Sequence, residues 1–151
     1  MAAFEYRQAL EIRDAFARHG VRYLFIGKSG AILLGYPDTT QDADLFLEKA
    51  SHNGRAAVTA LRELGFPLTD FQAAEIDRGK DFVQIREGPF DLDLVFAPDG
   101  IERFEDAWDR RVEVEGFPVC HPDDILASVK DRESLPRLRA FRDYWAARRQ
   151  G

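Results

Sequence analysis

The stretch from Leu24 to Phe46, LFIGKSGAILLGYPDTTQDADLF, holds a complete strand–turn–helix–strand unit. Its start continues the apolar run Val21–Ile26, in which Tyr23 and Phe25 face one side and Leu24 and Ile26 the other. That pattern predicts a short strand covered on both faces. Gly27-Lys28-Ser29-Gly30 turns the chain into a short apolar helix ending near Gly35. Pro37-Asp38-Thr39-Thr40 is turn chemistry. From Asp42 to Glu48 the sequence alternates, with Asp42, Asp44 and Phe46 on one face and Ala43, Leu45 and Leu47 on the other, as a strand requires.

Working outward, residues 4–18 have helical spacing, and Gly20 ends that helix. Ser51 is placed to cap a helix over 52–64, closed by Gly65. Residues 66–79 are ambiguous, with one or two helical turns over Phe71–Ile76. Strands follow at Phe82–Arg86 and Phe90–Phe96, joined at Glu87-Gly88-Pro89. A helix near 101–109 leads to a hairpin of Val112–Val114 and Phe117–Val119 around Glu115-Gly116. Two helices, near 122–129 and 132–148, finish the chain. The second carries the stripe Leu135, Leu138, Phe141 and Trp145, with Pro136 in its first turn. The expectation is one α+β domain over residues 1–151, a short mixed sheet flanked by helices, with the C-terminal pair packed on it.

The 151 residues carry a formal net charge of −6. Residues 130–151 hold seven basic and three acidic side chains, so the body before them is more acidic than the total suggests. That balance excludes a general nucleic-acid coat. The basic side chains Arg137, Arg139, Arg142, Arg148 and Arg149 read as a solvated helix face. One cysteine, Cys120, excludes an internal disulfide and a cysteine metal cage. No apolar run approaches a membrane span, and a polar start argues against a secretory leader. The expectation is a cytoplasmic protein without membrane contact. His19, His52 and His121 lack ligand spacing. Gly27-Lys28-Ser29 is not a P-loop, because Arg22 stands where that motif needs its first glycine.

Asp42 and Asp44, at i and i+2 on a strand, project from one face about 6–7 Å apart. Two bare carboxylates so placed repel unless a cation lies between them. Mg²⁺, a hard ion that shares its shell with phosphate oxygens, is the natural partner. Asp91 and Asp93 repeat the pattern. If the two strands pair, one of them completes a three-carboxylate cluster able to hold two ions. The turn at Gly27, Lys28 and Ser29 offers backbone N–H groups and a lysine charge to a phosphate.

These residues resemble the signature of the polymerase-β-like nucleotidyltransferase superfamily: a strand ending in Gly-Gly or Gly-Ser, a short helix, then Asp-apolar-Asp-apolar. Here it reads Phe25-Ile26-Gly27-Lys28, thirteen residues, and Asp42-Ala43-Asp44-Leu45. The chain is most similar to small bacterial members related to abortive-infection and toxin–antitoxin components. The similarity rests on Gly35-Tyr36-Pro37, Thr40, Leu92-Asp93-Leu94, Asp124–Ser128 and Lys130–Leu138. Lys28 departs from the pattern where a second Gly or Ser is usual, and Asp38 where Arg is frequent.

The resemblance implies a nucleotidyltransferase fold. It implies metal binding and catalysis by Asp42, Asp44 and Asp93, and triphosphate binding around Gly27, Lys28 and Ser29. The implied reaction is Mg²⁺- or Mn²⁺-dependent transfer of a nucleotidyl group from an NTP to a hydroxyl of an RNA, protein or small molecule, with a partner chain or homodimer as further candidates. The alternative is a degenerate module of the same fold that binds a nucleotide or a partner. Lys28 motivates it, since its ammonium can take the place of a metal or phosphate.

Overall fold

A computed structural model describes residues 4–150. Helix α1 (Tyr6–Arg18) buries Ile12, Ala15 and Phe16. Its entry is secured by Gln8, whose side chain accepts from the Glu5 amide at 2.9 Å. Gly20, at φ +66°, reverses the chain. Strand β1 (Tyr23–Phe25) runs straight into helix α2 (Gly27–Leu33), and β2 (Asp42–Leu47) returns antiparallel beside β1, with Leu24 opposite Phe46.

Helix α3 (Ser51–Glu63) begins at Ser51 itself. The cap position is Ala50, with no side-chain bond, so the expected Ser51 cap does not form. The first turn is held through Asn53. Its buried amide donates to the carbonyls of Arg22 and Glu48, both at 2.9 Å, and accepts from the Arg22 N–H at 2.7 Å. The ambiguous segment contains helix α4 (Asp70–Asp77), two turns long. Thr69 and Gln72 form a reciprocal capping box at its start.

Strands β3 (Phe82–Ile85) and β4 (Asp91–Val95) form the expected hairpin. Helix α5 (Phe104–Arg110) starts three residues later than its spacing predicts. Strands β5 (Val112–Val114) and β6 (Phe117–Val119) make the second hairpin. Helix α6 (Pro122–Ser128) is followed by a single 3-10 turn, Arg132–Ser134, and helix α7 (Leu135–Gln150). The turn exists because Asp131 caps it, accepting from the Glu133 amide and the Ser134 hydroxyl.

The six strands form one mixed sheet in the order β3-β4-β2-β1-β6-β5. β2 and β4, distant in sequence, lie parallel and adjacent inside it. Ala43, Leu45, Leu92 and Leu94 share one face of that pair and are fully buried. This apolar face fixes the register. The opposite face carries the aspartates, and Phe46 on it is closed off by the Phe104 ring, 5.0 Å away. α6 packs on α2, and α7 on α6. Among the described residues, no helix is long and apolar enough to cross a membrane.

Candidate functional site

Parallel pairing sets Asp42 opposite Asp91 and Asp44 opposite Asp93. Opposed residues on paired strands project to the same side, so all four carboxylates share one face. Asp93 is 7% exposed, and Asp42, Asp44 and Asp91 are half-buried. On the outer side of β4, Gln84 pairs with Asp93 and Phe82 with Val95. One transverse row is therefore Gln84, Asp93, Asp44, and the next is Phe82, Val95, Phe46.

Gly27 closes over this row. A Cβ there would stand 2.7 Å from Asp44 Oδ2, and the residue has φ +65°, so both space and backbone demand glycine. Ser29 ties the turn to the strand. Its buried hydroxyl donates to the Ile26 carbonyl and accepts from the Asp44 N–H, each at 3.0 Å. The predicted turn residues thus do two jobs: Gly27 leaves room for a carboxylate, and Ser29 positions the strand that bears it.

Lys28 also lines the cleft above the row. Its ammonium lies 3.5 Å from Asp38 Oδ2, and Arg137 approaches the same oxygen at 3.5 Å. Lys28 and Asp38, the two positions where the sequence departs from the signature it resembles, meet as an ion pair. The charge that motivated the degenerate reading is directed to Asp38.

The cation nearest the aspartates is Arg86, which sequence reasoning did not single out. Its guanidinium lies 2.9 Å from Asp93 Oδ1 and 3.7 Å from Asp42 Oδ2. The closer approach falls off hydrogen-bond geometry, so this buried Asp93 oxygen lacks a directed donor. The signal was present in the hairpin: Arg86 follows directly on β3, the strand paired with β4, two residues beyond Gln84.

The electrostatics follow from crowding. Burial, then the charge of Asp93, hold the Asp44 carboxyl well above the usual aspartate range, and Arg86 offsets this only in part. Asp42 is raised for the same reasons, burial first and Asp93 second. Burial works against the charge of Arg86, but Asp93 and Asp42 outweigh it and raise its pKa.

A divalent cation would take these hard oxygen donors. The undonated Asp93 oxygen and the raised Asp44 carboxyl fit such an ion. Among the described residues, no group of three His, Cys, Asp or Glu side chains is gathered tightly enough to form a metal cluster. The donor chemistry fits, and Arg86 stands where the positive charge is needed.

The row forms the floor of a cleft of ≈ 610 Å³. Gly27, Asp44 and Asp93 line one part of it; Phe82, Val95 and Pro98 line another. The far wall comes from Ser128 to Asp131 and from Leu138. Cys120 is buried elsewhere, which pushes its thiol pKa up, and it takes no part. His121 accepts from the Asp123 amide at the start of α6. No protein-family model matches this chain, and no curated protein matches it.

Proposed function

We propose that the cleft binds a nucleoside triphosphate and transfers its nucleotidyl group to a hydroxyl acceptor. The observation that carries this reading is the placement of Asp42, Asp44 and Asp93 on one face of two parallel strands, with Asp44 directly against the turn at Gly27. Crowded carboxylates, with the proton affinity of Asp42 and Asp44 raised, are a poor surface for an anion unless cations accompany it.

Asp42, Asp44 and Asp93 would hold Mg²⁺ or Mn²⁺, which supplies neutralisation of the triphosphate and of the charge that develops in phosphoryl chemistry. Gly27 keeps the backbone low enough for Asp44 to face the cleft. Ser29 fixes the height of Asp44 by holding its amide. Lys28, anchored by Asp38, adds a positive charge at the cleft wall without entering the carboxylate row. The acceptor hydroxyl oxygen attacks the α-phosphorus and its proton passes to solvent, the bond from that phosphorus to the bridging oxygen breaks, and pyrophosphate leaves.

The test is incubation with labelled NTPs, Mg²⁺ or Mn²⁺, and candidate RNA and protein acceptors. Label transfer is expected for the natural chain and is expected to be lost in Asp44→Asn. Undiminished transfer by that variant would remove the mechanism.

A non-catalytic nucleotide-binding module is the second reading, favoured by one observation: Arg86 already neutralises Asp93 and Asp42. It predicts nucleotide binding without label transfer, and transfer by the natural chain excludes it.

A further inference from the structure

The far part of the cleft is built differently from its carboxylate part. Phe82 lies on the edge strand β3, one side-chain row beyond Gln84 and Asp93. It is 37% exposed, and its neighbours in the cleft are Val95, Ala97 and Pro98. The Lys130 ammonium sits 5.5 Å from the ring centroid, so the ring turns a face toward the far wall. Phe16, Phe25, Phe46, Phe66 and Phe117 are fully buried; Phe71 on α4 is more exposed than Phe82, but it does not line the cleft.

Adjacent rows on one face of a strand lie about 6–7 Å apart. That is the separation one sugar introduces between a nucleobase and its first phosphate. A phosphate beside Asp44 and Asp93 therefore leaves a base over Phe82. Bases of every kind present a π face, and stacking on an aromatic side chain binds them with little regard to identity.

We infer that Phe82 is the stacking platform for the base of the bound nucleotide, with Val95, Ala97 and Pro98 as its apolar surround. This rests on the nucleotide reading above and adds the subsite that recognises the base.

The test measures calorimetric binding, with Mg²⁺, of the four common ribonucleoside triphosphates and of inorganic tripolyphosphate. The proteins are the natural chain, Phe82→Ala and Phe82→Trp, each checked for a normal melting transition. The natural chain should bind at least one nucleotide more tightly than tripolyphosphate. Phe82→Ala should weaken that nucleotide by at least about fivefold and leave tripolyphosphate unchanged. Phe82→Trp should restore it. If Phe82→Ala binds nucleotide as the natural chain does, or if nucleotides bind no better than tripolyphosphate, the platform is overturned and the triphosphate reading stands. If neither ligand binds the natural chain, the nucleotide reading falls and the platform with it.

Discussion

Asp44 and Asp93 stand opposite each other on neighbouring parallel strands, with no residue between them. Their mutual repulsion, added to burial, raises the Asp44 pKa. A carboxyl whose pKa is higher in the folded state gives stability that is full below the ordinary aspartate value and is lost as pH rises through the raised value. The metal-free protein is therefore expected to lose thermal stability across that window. Asp44→Asn, uncharged at every pH, should flatten the loss and melt higher than the natural chain at pH 7. Melting curves from pH 4 to 8 in chelator check this, and a lower melting point for the variant at pH 7 would contradict it.

Gly27 and Gly20 make a matched pair. Both have φ near +65°, but a Cβ at Gly20 meets nothing within 4 Å while one at Gly27 meets Asp44. Gly20→Ala should cost the left-handed strain alone, about 1–2 kcal/mol. Gly27→Ala should cost more, because Asp44 must also move. Urea midpoints of the two variants measure the difference, and equal losses would show that Asp44 is not crowded by the turn.

Removing the Ser29 hydroxyl leaves the Asp44 N–H without its acceptor at a buried position. Ser29→Ala is expected to destabilise by about 1–3 kcal/mol. Ser29→Thr keeps the hydroxyl but adds a methyl in a buried turn, so Ser29→Cys is the better size control. Denaturant titration reads both.

Arg86→Gln takes the guanidinium from Asp93 and Asp42 and leaves the carboxylates without a counter-charge. The variant should melt below the natural chain in chelator. Millimolar Mg²⁺ should then raise its melting temperature by more than it raises that of the natural chain, since ligand binding stabilises by mass action. Equal shifts would mean that Arg86 and the ion do not share the site.

Most of the architecture was readable in alternation and punctuation. The alternation at Asp42–Leu47 and Asp91–Val95 marked both strands, and Gly20, Gly35 and Gly65 marked the ends of helices or turns. The parallel pairing of β2 with β4 stood only as a condition, because nothing local joins strands more than forty residues apart. The capping box at Thr69 and Gln72 is the sequence signal for α4, whose extent its apolar spacing alone does not fix. Ser51 went the other way: a good cap residue was displaced by one position because Asn53, further along, had stronger buried partners.

In the site, Asp42 and Asp44 stand out by their spacing and Asp93 only through the resemblance; Gly27, Asp44 and Asp93 line the cleft, and Asp42 lies on the same strand face outside that lining. Arg86 does not stand out, because its relevance lies in a hairpin register and not in any motif. Lys28 and Asp38 looked like two separate departures in the sequence. Their meeting depends on how the loop after α2 folds back, which no local pattern encodes.

The face of β2 and β4 that points away from the cleft has a consequence for how this site can be lost. Ala43, Leu45, Leu92 and Leu94 index the two strands against each other, and shifting either strand by one residue turns its whole alternating set over. The aspartates are thus aimed by leucines whose side chains lie on the opposite face of the sheet. A core substitution that let β4 slip one place would silence the cleft with every acidic residue still in the chain, and inspection of those residues alone would miss the loss.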